Sequence, residues 1–105
     1  MTAGDDATIV DAVFAQTREG CYRLTRVHHI AGRVLRVDVD RDYYPFQSHA
    51  RAEILAPSLT WTVLAYVPPA EWHRQTPVRH ADAGTLAPIA NLLLERALRI
   101  LPASP

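Results

Sequence analysis

The chain has 105 residues, 49% of them apolar and 21% charged, which describes one globular domain with a single core and is too little chain for two independent ones. Eleven basic side chains balance eleven acidic ones, so the total charge supplies no long-range attraction to nucleic acid or to an anionic membrane. All eleven basic residues are arginine, and without a lysine neither a P-loop phosphate grip nor a Schiff-base mechanism is open to this chain acting alone.

The opening "MTAGDDATIVDA" is acidic where a signal peptide is basic, and no apolar run approaches the roughly 20 residues of a membrane span, so a cytoplasmic location is expected. Cys21 is the single cysteine, which leaves no internal disulfide and no cysteine-rich zinc site. Ser48, Ser58 and Ser104 lie in no nucleophile-elbow context, and four glycines are too few for a dinucleotide fingerprint.

In chain order, Asp5 or Asp6 is placed to cap a first helix in which Ile9, Val10, Val13 and Phe14 recur at helical spacing, with Gly20 to end it. From Cys21 to about Val67 the period changes to two and β-branched and aromatic residues are enriched, which predicts strands. "HHIAGRVL" holds the first turn. In "RVLRVDVD" Leu35, Val37 and Val39 face one way and Arg36, Asp38 and Asp40 the other. Pro45 marks "RDYYPF" as the bend into a third strand, with Tyr44 continuing inward with Phe46 and Tyr43 outward with Arg41.

After the bend, Phe46, Ser48, Ala50, Ala52 and Ile54 share the inner side. "APSL" returns the chain in a register that sets Ile54 opposite Trp61, Ala52 opposite Val63, Ala50 opposite Ala65 and Ser48 opposite Val67. Residues 68–84 read as a proline-marked connection with one helical turn at "PAEWH". Thr85 caps a last helix that tolerates Pro88 in its first turn, runs to Leu101 and shows Asn91, Glu95 and Arg99 as a narrow polar stripe. Residues 1–5 and 102–105 are expected to fray.

The expected architecture is α+β: a four-stranded antiparallel meander with N- and C-terminal helices packed on one face, forming a single domain over 1–105. Its open face and the bend supply a candidate interaction surface of Arg36, Arg41, Tyr43, His49, Arg51, Glu53 and Tyr66. No catalytic residue, cofactor or metal ligand is assigned, because no HExxH, HxH or HxxxH spacing is present and the adjacent His28 and His29 would point to opposite faces of a strand.

The favoured function is a small protein-interaction or regulatory module that is not an enzyme and associates with itself through the C-terminal helix. Leu92, Leu93, Leu94, Leu98 and Leu101 of that helix span too wide an arc for one sheet face to bury. Nucleic-acid binding through the arginines and tyrosines of the sheet is the first alternative, with Asp38, Asp40, Asp42 and Glu53 against it. A small metal-dependent enzyme using His28, His29 or His49 with Asp38 or Asp40 is the second.

Overall fold

A computed structural model describes residues 8–75 and 83–101. Five strands lie side by side in chain order, each antiparallel to the next: β1 (Thr8–Arg18), β2 (Cys21–Ile30), β3 (Arg33–Arg41), β4 (His49–Leu55) and β5 (Trp61–Tyr66). A short helix α1 (Pro69–Trp72) follows, then a 3-10 turn at His73–Gln75 and the long helix α2 (Ala83–Ile100). The α+β class, the antiparallel meander, the helical turn at "PAEWH" and the C-terminal helix all agree with the reading from sequence. The expected caps Asp5 and Asp6 and the frayed termini 1–5 and 102–105 lie outside the described residues.

The first element is a correction: residues expected to form an N-terminal helix form β1, which makes five strands instead of four. Thr8, Ile9, Val10, Val13 and Thr17 are β-branched and stiff at χ1, which favours an extended chain. The alternation was hidden by a bulge between Ile9 and Asp11, after which Asp11, Val13 and Ala15 face one side and Ala12, Phe14 and Gln16 the other. Gly20 takes the left-handed φ of 75° that a helix terminus often uses, but here it closes a two-residue hairpin between Arg18 and Cys21.

The β2–β3 turn has only Ala31 and Gly32 between paired Ile30 and Arg33, and both have positive φ, at 50° and 78°. That is the primed turn a twisted hairpin requires, with an alanine where Asn or Gly would sit without strain. Leu59 in the β4–β5 turn is left-handed too, at 66°.

One face of the sheet carries α2. Leu86, Ala90, Leu93 and Ala97 recur every three to four residues and are buried against Leu24, Leu35, Val37, Val39, Ala50, Ala52, Ile54 and Ala65. The small Ala90 and Ala97 let the helix axis approach the sheet closely. Thr85 lies inside the helix, and Pro88 falls past its first turn. Among the described residues no other long helix shares the face; Leu94, Leu98 and Leu101 pack partly against the core, and the outer stripe of Asn91, Glu95 and Arg99 is exposed. Arg26 of β2 reaches across to donate to Asn91 at 2.8 Å. Trp72 closes one end of the core, its Nε1 donating to the Val67 carbonyl at 3.2 Å.

The β4–β5 register also differs from expectation. Leu55 faces Trp61, Ile54 faces Thr62 and Glu53 faces Val63, after which a shift pairs Ala52 with Ala65 and Arg51 with Tyr66. The irregularity leaves Leu64 as an extra residue, so simple alternation could not locate it.

Candidate functional site

The sheet face opposite α2 gathers five of the seven surface residues expected from sequence. Arg36 lies across from Glu53, Arg51 lies between Asp38 and Tyr66, and His49 lies across from Asp40. The remaining two are elsewhere. Arg41 is a correction: it follows Leu35, Val37 and Val39 onto the helix-covered face, is 3% exposed, and donates to the Asp42 carbonyl at 2.9 Å, where burial pushes its guanidinium pKa down. Tyr43 sits in the bend at the end of the sheet.

The open face is a mesh of ion pairs rather than a row of loose charges. Asp38 is wholly buried beneath its partners: Arg23 donates from Nε and Nη2 at 2.8 Å each, Thr25 Oγ1 donates at 3.0 Å, and His49 Nε2 lies at 3.3 Å. Burial by itself would raise its pKa, but the hydrogen bonds from His49, Arg23 and Thr25 outweigh that and hold the carboxyl well below the usual range. Asp40, two residues on and facing the same side, shows the opposite balance: burial raises its pKa, and His49 and Arg23 offset that only in part.

Glu53 is buried under Arg36, which donates to Oε1 from Nε at 3.1 Å and from Nη2 at 2.9 Å, with Arg51 Nε 3.7 Å away. The Arg36 guanidinium also stacks over the Trp61 ring at 4.1 Å, a cation–π contact made possible because the observed register turns Trp61 to this face. The mesh is mixed in sign, with Arg23 and Arg36 bound to Asp38 and Glu53 and the buried Arg51 Nε left without a hydrogen-bond acceptor among the described residues, and its carboxylates oppose a phosphate.

His28 and His29 point to opposite faces, His28 buried and His29 exposed. Among the described residues no three His, Cys, Asp or Glu side chains converge as metal ligands would, and no helix is long and apolar enough to cross a membrane.

The second constellation is the bend itself. Asp42 ties it to three other parts of the chain. Its carboxylate accepts from Arg18 Nη2 at 2.7 Å and from the Tyr44 backbone N–H at 3.3 Å, with Cys21 Sγ at 3.6 Å. The backbone N–H of Asp42 donates to Ser48 Oγ at 2.8 Å, and its carbonyl lies 3.0 Å from His73 Nε2. Burial opposes ionisation of this carboxyl, but the Tyr44 N–H and Arg18 lower its pKa. The bond from residue i+2 to an aspartate is an Asx turn, the one part of this hub that a sequence can suggest; Arg18, Cys21 and His73 are brought by the fold.

On this clamp a 3-10 turn at Pro45–Gln47 holds three aromatic rings outward. Tyr43, Tyr44 and Phe46 are 54%, 51% and 79% exposed, so the expected inward placement of Tyr44 and Phe46 is corrected. Tyr43 meets Tyr44 edge-on with centroids 4.9 Å apart, and Tyr44 stacks with Phe46 at 5.6 Å. The 3-10 turn breaks the alternation that would have carried Phe46 into the core, and Ser48 turns inward in its place.

At the far end of the sheet the β2–β3 and β4–β5 turns frame an open apolar depression of about 500 Å³, lined by Ala31, Gly32, Val34, Leu55 and Leu59 among others. Set against protein-family models, curated proteins and solved structures, the chain finds no match in any of the three.

Proposed function

We propose that the chain is a small protein-interaction module, not an enzyme, that associates with itself and engages a protein partner through the bend at 42–48; we place it in the cytoplasm. The observation that carries the reading is the trio Tyr43, Tyr44 and Phe46, exposed yet held ring against ring on a turn fixed by a buried polar hub. Large aromatics with little side-chain entropy left to lose supply most of the energy at protein interfaces, and pre-ordering them lowers the cost of binding. The open-face residues Arg36, His49, Arg51, Glu53 and Tyr66 form a flank to that patch. Nucleic acid ranks lower, because Arg23 and Arg36 already direct their guanidinium groups to Asp38 and Glu53.

The test is site-specific photo-crosslinking in cells expressing the full chain, with a benzophenone side chain introduced at Phe46 or, as the control, at exposed Thr62. The expected result is a discrete protein adduct from position 46, reduced at least tenfold by Tyr43→Ala, while Tyr43→Ala leaves the melting temperature within a few degrees of the wild type. Equal crosslinking from both positions, insensitive to Tyr43→Ala, would overturn the reading.

A further inference from the structure

We infer that Arg51 is a receiving site for a side-chain carboxylate of the protein partner, an aspartate or glutamate laid on the open sheet face beside the aromatic bend. The inference rests on the partner-binding half of the proposed function, in which Arg51 flanks the patch, and names the chemistry that this flank recognises.

The arginines of the open face are not equivalent. Arg23 directs Nε and Nη2 to Asp38, and Arg36 directs the same pair of nitrogens to Glu53 while lying over the Trp61 ring. Arg51 Nε is buried and has no acceptor among the described residues; its ion contact with Glu53 Oε1 is 3.7 Å long, beyond hydrogen-bond reach. A buried donor left unmade is unfavourable and uncommon, and it marks a place where something from outside the chain completes the bond.

The chain's own carboxylates on this face are already engaged. Glu53 Oε1 holds both bonds from Arg36, and Asp38 accepts from Arg23 and Thr25 with His49 beside it. Asp40 lies across from His49, and its neighbouring cations are His49 and Arg23.

The Arg51 side chain is 40% exposed although its Nε is covered. Turning the guanidinium outward breaks no bond at Nε and presents Nε and one Nη along a single edge, the fork that a carboxylate fills with two parallel bonds. Half-exposed Tyr66 borders the position from β5, and His49 borders it from the side of the bend. Arg51 is two residues, about 7 Å, beyond His49, so one partner segment spans the aromatic rings and this guanidinium.

A singly charged anion fits better than a phosphate dianion, which Asp38, Asp40 and Glu53 would repel about twice as strongly. A side-chain carboxylate fits better than a chain terminus, because termini are captured by free backbone N–H groups and β4 is paired on both sides.

The test titrates the 15N-labelled full chain with glutamate blocked at its amino and α-carboxyl groups, from about 1 mM to about 300 mM at constant ionic strength, following the arginine Nε–H signals by NMR. One signal is expected to move and saturate, the signal that is missing from Arg51→Lys, and inorganic phosphate is expected to move it less. A response no larger than that to sodium chloride, or tighter saturation by phosphate, would overturn the carboxylate site. Arg51→Gln is expected to leave the melting temperature within a few degrees of the wild type, whereas Arg36→Gln, which strips the buried Glu53 of its two bonds, lowers it further. Equal losses from both would make Arg51 a structural partner of Glu53 and overturn the inference too. The crosslink from Phe46 reports separately: a crosslink without a response at Arg51 keeps the aromatic reading and removes the carboxylate site, and the reverse outcome does the opposite.

Discussion

Asp38 and Asp40 stand two positions apart on one strand, face the same side and carry opposite pKa shifts, so they separate pairing from burial within one molecule. The Asp38 carboxyl is lowered in the folded state. Its contribution is therefore present above the unfolded-state pKa near 4 and is lost as pH falls toward the folded value. Asp38→Asn should cost about 1 to 3 kcal/mol at pH 7, and the gap to the wild type should narrow as pH is lowered below about 4 in a series of urea melts. Asp40 has the reverse sign: its charge opposes folding at neutral pH and the penalty lifts as pH falls through the raised pKa. Asp40→Asn should raise the melting temperature at pH 7, an advantage gone by about pH 4. If both variants moved in the same direction at pH 7, the division between a satisfied and a merely buried carboxylate would be wrong. Backbone strain gives a second check at this scale. Ala31→Asn and Leu59→Asn, each supplying a residue that tolerates positive φ, should each stabilise the fold by about 0.5 to 1 kcal/mol in thermal melts.

At the scale of the element, α2 shows how a helix rich in leucine can lie on one sheet without a second helix beside it. The alanines at 90 and 97 form its contact line, and the leucines on either side splay down toward the strands. Ala90→Leu should cost about 1 to 3 kcal/mol through overpacking, while Leu92→Ala, on the outer side, should cost under about 1 kcal/mol by chemical denaturation. The same element shows where reading from sequence works. The strands β2, β3 and β4 were legible because strict alternation over Leu35, Val37, Val39 and over Ala50, Ala52, Ile54 survives intact. β5 was legible as a strand but not in its register, because a bulge leaves Leu64 as an extra residue; β1 was missed because two bulges disturb its period and the spacing of Ile9, Val10, Val13 and Phe14 imitates a helix. On the candidate surface Arg36, His49, Arg51 and Glu53 sit where alternation puts them, and so does Arg41, which alternation carries, two residues after Val39, to the helix side instead of the open face. The Asp42 hub joins residues 18, 21, 42, 48 and 73, and no local pattern encodes contacts of that span.

For the whole molecule, the feature with the widest reach is that spatial order follows chain order. Each strand pairs only with its neighbours in sequence, so the sheet can be assembled as successive hairpins, each closing a short loop. Two of those loops are only two residues long, and hairpins of this kind form on the microsecond scale. The return of α2 is different. It must find β2 across 65 residues, as the Arg26–Asn91 bond records, and until it does the apolar side of the meander faces water. Docking of the helix is the step that covers this side, so a variant that weakens the contact of α2 with the sheet is expected to aggregate more readily than one that alters the open face.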